Sequence, residues 1–158
     1  MATDFRKQGK KNRQKGVVFE SKVREDLMKM NWVVNRWMNV VDQDKDGKIG
    51  GIIPAKRKYN PYKKAMIIGT GFPDFVCFKK QESESGFDVI GVEVKANGYL
   101  DQKEKGMCLW LLENKIFSRI LIAKKKKNQR KIEIEYVDFD KKYACTCNKS
   151  KIKTSIKE

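Results

Sequence analysis

Three side chains, Asp74, Glu93 and Lys95, have the types and spacing that phosphate-ester chemistry requires. They lie in "FPDFVCFKK" and "FDVIGVEVKA", two strand-like runs separated by the polar "QESESG". Residues two apart on a strand point the same way, so Glu93 and Lys95 share a face while Val92 and Val94 take the other. The polar spacer reads as a hairpin, which folds the second strand back beside the first and brings Asp74 towards Glu93. Two carboxylates so close repel one another in a dry site, and a hard divalent cation with oxygen ligands relieves the repulsion. Mg²⁺, with Mn²⁺ as a substitute, suits such a site because it needs only one or two carboxylates besides water and phosphate oxygens. Its chemistry there would be to polarise a phosphate, lower the pKa of a bound water and hold the leaving oxygen. Lys95 would orient that water and offset negative charge in the transition state.

The acid-x-Lys tripeptide alone carries little information. It occurs six times in a chain with 29 Lys, and chance alone gives about four. "KIEIEYVDF" shows the plainer alternative, a half-solvated strand with Ile132, Ile134 and Tyr136 alternating with Glu133 and Glu135. What sets "GVEVKANG" apart is the preceding Pro73-Asp74 in a chain with three Pro, and the hairpin that joins the two runs.

The 158 residues suffice for one domain with its own hydrophobic core. Lys and Arg number 36 against 20 Asp and Glu, with no His, for a net charge of +16. That excess exceeds what solubility requires and points to a polyanionic partner, nucleic acid first, with a Lys-rich surface selected for stability as the alternative. No apolar run is long enough to cross a bilayer and the N-terminus resembles no signal peptide, so a cytoplasmic protein without membrane contact is expected. Cys77, Cys108, Cys145 and Cys147 lack zinc-ribbon spacing and read as free thiols.

Positioning the three residues requires an ordered set of elements. Residues 1–15 read as a flexible basic arm, 16–140 as the main domain and 141–158 as a Lys-rich tail. Val18, Phe19, Val23 and Leu27 recur at helical spacing from Val17 to Met30. "WVVNRWMNVV" suggests a strand from Trp32 to Val41. Residues 42–70 form a long basic insertion, and the two strands of the hairpin follow. Asp101 to Asn114 suits a second helix, with Met107, Trp110 and Leu111 at i, i+3 and i+4. "SRILIAKK" and "KIEIEYVDF" give two further strands. The order predicts an α/β (α+β) fold around one mixed sheet.

These residues together resemble the PD-(D/E)xK nuclease superfamily, through Pro73-Asp74 and then Glu93-Val94-Lys95. "RQKGVVFESKVREDLMKMNWVVNRW" is similar to the opening of archaeal Holliday-junction resolvases, with Glu20 as the inward acid of the first helix and Arg36 as the arginine ending the first strand. "GYLDQKEKGMCLWLLENKIFSRILIAKK" is similar to the helix and strand that follow in these resolvases and in virus-type replication-repair nucleases, with Gln102 at the family's glutamine. The resemblance spans about residues 13 to 124. It implies a restriction-endonuclease-like core, a mixed sheet of about five strands flanked by helices. It further implies DNA phosphodiester hydrolysis, with Glu20, Asp74, Glu93 and the Val94 carbonyl near the metal and with Lys95 and Gln102 catalytic. The insertion is longer and more basic than in a minimal resolvase. Resolving a four-way junction takes two sites related by two-fold symmetry, hence a homodimer, for which Met107, Cys108, Trp110 and Leu111 offer either an apolar centre or simply a buried helix face. The alternatives are a non-catalytic DNA-binding protein with the same fold, and a nuclease of ordinary duplex or single strands.

Within the insertion, "DQDKDGKIGGII" imitates a Ca²⁺ loop at Asp42, Asp44, Asp46, Gly47 and Ile49. Ile53 stands where the bidentate Glu belongs, and Gly50, Gly51 and Pro54 discourage the required helix, so a polar turn is expected. The adjoining "PAKRKYNPYKK" better suits nucleic acid. Lys56, Arg57, Lys58, Lys63 and Lys64 would meet phosphates, and Tyr59 or Tyr62 would stack on a base or pack locally. Lys15 and Arg36 complete the expected DNA-binding set.

Overall fold

A computed structural model describes residues 5–43, 49–60, 64–68, 71–82, 86–126 and 132–143. Its centre is a five-stranded mixed sheet. In chain order the elements are α1 (Phe5–Lys29), β1 (Val33–Arg36), β2 (Asn39–Gln43), β3 (Ile49–Pro54), β4 (Arg57–Asn60) and β5 (Ala65–Ile68). Then follow β6 (Phe75–Lys80), β7 (Phe87–Val94), α2 (Gln102–Glu113), β8 (Arg119–Lys125) and β9 (Ile134–Asp138). The sheet runs β1-β6-β7-β8-β9. All its pairs are antiparallel except β7 with β8. Parallel neighbours need a crossover, and α2 supplies it.

Each helix covers one face. Phe19, Val23 and Leu27, spaced by whole turns of α1, are at most 2% exposed and pack with Val34, Phe75, Cys77, Ile90, Val92 and Ala123. On the other face Met107, Cys108 and Leu111 of α2 pack with Phe117, Ile120, Ile122, Phe139 and Tyr143. Each fully buried aliphatic side chain contributes roughly 1.5–3 kcal/mol. The strict alternation along β7 sends Ile90 and Val92 to α1, and therefore Gly91 and Glu93 to the face of α2. The α+β fold around one mixed sheet is thus what the order of elements predicted, and its five strands flanked by helices are what the resemblance implied.

Four expectations about the periphery change. The basic arm is helical from Phe5, although residues 7–18 are exposed throughout. Lys, Arg and Gln are good helix formers, and a helix that overhangs its sheet needs no apolar stripe, so no periodicity marked it. The proposed strand from Trp32 to Val41 breaks after Arg36, because Trp37 turns to pack edge-on against Phe117 at a centroid distance of 5.4 Å. The insertion is not a loop but holds two hairpins, β2 with β3 and β4 with β5. Val41 and Ile52 of the first join the core around α2. Ile49 to Pro54 is a strand where a Ca²⁺ loop would turn into a helix; Asp44, Asp46 and Gly47 lie outside the described residues. Lys141 to Tyr143 belong to a closing helical turn with Tyr143 buried, so the tail begins later than expected. Cys145 and Cys147 are outside the described residues.

Candidate active site

The hairpin register decides where the acids meet. Phe75 is paired with Val92 in the antiparallel β6/β7 ladder, so Asp74, one residue before β6, falls opposite Glu93 near the end of β7. The two are cross-linked through main chain: Asp74 N–H donates to Glu93 Oε2 at 3.1 Å, and Val94 N–H donates to Asp74 Oδ2 at 2.9 Å. Lys95 follows, its own N–H bonded to the Ala123 carbonyl of β8. Its Nζ lies 3.2 Å from Glu93 Oε1 and 2.5 Å from Glu104 Oε1.

The segment entering Asp74 is clamped from two sides. Trp37 N–H donates to the Asp74 carbonyl at 3.1 Å, and Phe72 N–H donates to the Asn39 carbonyl at 2.9 Å. Gly71 permits this approach, since a Cβ there would lie 2.0 Å from the Trp37 carbonyl oxygen. From below, Pro73 sits on Gly91, whose missing Cβ would come within 2.8 Å of Pro73 Cγ. The Pro of "PDF" is therefore a packed spacer that fixes where the acid begins.

Glu104 was not anticipated. Asp101 caps α2, its carboxylate accepting the Glu104 N–H at 2.8 Å while Glu104 Oε2 accepts the Asp101 N–H at 2.9 Å. This reciprocal capping box leaves Glu104 Oε1 for Lys95. The signal in the sequence was Asp101-x-x-Glu104 before an apolar run. Gln102, the expected member of the site, is exposed at the first position of α2.

Glu20 comes from α1 and is paired with Arg36 at 3.2 Å. Burial raises the Glu20 pKa, and the charge of Asp74 adds to it against the opposing pull of Arg36. Asp74 is likewise raised by burial, opposed by the Val94 N–H and by Lys95 and Arg36. Glu93, only 4% exposed, is pushed up to about 8 by burial and by the charge of Asp74, with Lys95 acting the other way. Burial would lower the Lys95 pKa, but its hydrogen bond to Glu104 and the charges of Glu93 and Glu104 outweigh this and raise it.

Three acids are thus electrostatically linked at one sheet edge beside a lysine held in its charged form. The donor set is chemically suited to a hard cation, because mutual repulsion and burial leave the carboxylates short of positive charge. Among the described residues no three His, Cys, Asp or Glu side chains gather closely enough to hold a metal ion. Their present partners are main-chain N–H groups, Lys95 and Arg36.

The expected DNA-binding residues are spread more widely. Lys15 is exposed on α1; Lys56 and Lys64 are exposed around the β4/β5 hairpin, and Tyr59, 60% exposed, pairs across strands with Met66. Arg57 and Lys58 lie in β4. Tyr62 and Lys63 are outside the described residues. Met107, Cys108 and Leu111 are buried in the chain's own core, so of the two readings of that helix the buried face holds. Cys77 and Cys108 are free and buried, and burial pushes the Cys77 thiol up to about 12.

No family model, no curated protein and no solved structure matches the chain. Among the described residues no helix is long and apolar enough to cross a membrane.

Proposed function

We propose that the protein is a divalent-metal-dependent endonuclease that hydrolyses DNA phosphodiester bonds, with branched DNA as its preferred substrate. The observation that carries this reading is the meeting of Asp74, Glu93 and Lys95 at one edge of the sheet, cross-linked by the hydrogen bonds between β6 and β7. The PD-(D/E)xK resemblance of the same three residues gives it its chemistry. Asp74, Glu93 and the Val94 carbonyl would hold Mg²⁺ or Mn²⁺, and Glu20, which here is paired with Arg36 and does not gather with the other two acids, would join them by moving in from α1. Bound there, such an ion supplies charge neutralisation at the phosphate and acidifies a water.

The remaining work falls to the chain's own groups. Lys95 has a raised pKa and stays protonated at neutral pH, so it serves as a fixed positive charge for the transition state rather than as a base. Glu104 aims that charge, and Arg36 sets the position of Glu20. The net charge of +16 supplies affinity for the polyanion. Cutting both strands of a junction requires two copies of this site, hence a homodimer whose interface lies elsewhere than on the buried face of α2.

The test is to incubate the protein with linear duplex and four-way junction DNA, in Mg²⁺ and in EDTA. Cleavage should require Mg²⁺ and favour the junction, and the Asp74→Asn/Glu93→Gln variant should bind DNA but not cut it. Cleavage at the parental rate by that variant would remove the assignment. Binding without cleavage by the parent in any divalent ion would leave a DNA-binding protein.

A further inference from the structure

Beyond Lys95 the sheet edge continues into a groove of about 580 Å³ lined by Tyr99, Lys124, Lys125, Lys126, Lys142 and Glu135 among others. Lys125 also lines a second hollow of about 250 Å³, with Lys11, Gln14 and Lys15 of the overhanging part of α1. Lys125 borders both hollows, the second on the α1 side of the sheet beside Phe19, so a polyanion passing over the end of β8 would meet each in turn. The geometry of this basic track follows from the fold: β7 and β8 are parallel, so their C-terminal ends emerge at the same edge. The turn after Lys95 is stitched to β8 by the Lys125 N–H, which donates to the Ala96 carbonyl at 3.2 Å.

The charges along this track are not equivalent. Lys124 and Lys126 are paired with Glu135 and Glu133 on β9. Among the described residues Lys11, Lys15 and Lys125 have no acidic partner, and Lys125 instead lies over the Phe19 ring at 5.1 Å. At the far end Tyr99 is 67% exposed, and its ring is held by Lys142 Nζ at 4.9 Å from the centroid. Lys142 is itself tied to the Gly98 carbonyl. A large aromatic left in water but fixed in orientation by a cation is a stacking platform beside a line of unpaired ammonium groups.

We propose that this track binds an unpaired nucleic-acid strand, its phosphates on Lys11, Lys15 and Lys125 and one base stacked on Tyr99. Duplex would keep its bases inside and could use only the lysines, whereas a single strand uses both features. The inference rests on the nuclease reading and adds to the fully paired junction a second class of branched substrate, one with an unpaired arm leading away from the site. Its test needs no cleavage, so either idea can fail alone.

The whole 158-residue chain is titrated in EDTA with labelled oligothymidylate and with blunt duplex of equal length, across a salt series, by fluorescence anisotropy. Tyr99→Ala should weaken single-strand binding about tenfold and leave duplex binding within about twofold. Lys11→Ala/Lys125→Ala should lower the slope of log affinity against log salt by about 1.4 for single strands. Lys11→Ala/Lys15→Ala, both on the exposed part of α1, should do the same should the first pair fail to fold. Lys29→Ala/Lys80→Ala is the control; both are exposed at the opposite edge, where Lys79 Nζ reaches the Met30 carbonyl beyond the end of α1. Equal losses in the track and control variants, or an equal effect of Tyr99→Ala on both DNAs, would overturn the proposal. So would displacement of the oligonucleotide by polyglutamate at the same charge concentration, which would mark an acidic-protein surface instead.

Discussion

Asp74 gives its backbone N–H to Glu93 Oε2, while its own carboxylate takes the N–H of Val94, the residue after Glu93. The two acids are thus locked at fixed separation by strand register rather than by flexible side-chain contacts. Positioning two acids this way has a cost: burial raises the pKa of both, and for Glu93 the nearby charge of Asp74 adds to the rise.

That cost has a pH signature. Glu93 titrates near 4.5 when unfolded and about 8 when folded, so the folded state holds the proton more tightly. Its contribution to stability is fully present below the lower value and is lost as pH rises through the upper one. In EDTA the melting temperature should fall from about pH 5.5 to about pH 8.5, and Glu93→Gln should flatten the fall. Added Mg²⁺ should stabilise most at the upper end, where it no longer competes with the proton. A melting temperature that rises across this window in the parent but not in Glu93→Gln would contradict the electrostatic account.

Glu104 should matter to both stability and rate. Removing it with Glu104→Ala opens the capping box, which costs about 1 kcal/mol in a denaturant melt. It also frees Lys95, for which a loss of about 10–100-fold in cleavage is expected. Glu104→Gln keeps a side chain able to accept from the Asp101 N–H, so it should recover most of the stability but little of the rate. Parental kcat in both variants would reduce Glu104 to a helix cap.

Gly91→Ala would press a methyl group onto Pro73 and, at 3.2 Å, onto Phe117. Overpacking of this kind costs about 1–3 kcal/mol. Because the strained contact is Pro73, the displacement reaches Asp74 directly, and cleavage should fall by more than the stability loss explains. Gly106→Ala on α2, where a Cβ meets nothing within 4 Å, is the matched control and should be neutral or stabilising.

Leu111→Ala should cost about 2–5 kcal/mol in urea unfolding, as for any fully buried Leu. Light scattering should show the oligomeric state unchanged, since the side chain is enclosed within its own subunit. A change of oligomeric state without loss of stability would return α2 to the interface.

Residues in continuous elements were legible in the sequence. The apolar, strand-like runs "FVCFKK" and "FDVIGVEV" located β6 and β7, and the polar spacer between them gave the antiparallel pairing that makes neighbours of Asp74 and Glu93. The clamp from Trp37 and Asn39 was not legible, because it is main-chain hydrogen bonding between segments far apart in sequence and leaves no pattern in residue type. Glu104 was overlooked for a different reason. Its Asp-x-x-Glu signature reports a local cap, whereas its second oxygen acts across space on Lys95. The helical arm and the hairpins of the insertion escaped notice because half-exposed elements show no clean periodicity.

Asp74, Glu93, Lys95 and Glu104 all fall within one continuous stretch of chain, residues 74–104, and only Glu20 arrives from a distance. Closing so short a loop carries a small entropic penalty, which grows only as the logarithm of loop length. The acid pair and its lysine can therefore come together early in folding, with local contacts alone, while docking of α1 waits for long-range closure. Changes in the length of the hairpin tip, at the end of β6 remote from Asp74, would lengthen that loop without altering the spacing of the acids. A chain built this way can vary its outer turn freely while inheriting its chemistry as a single block.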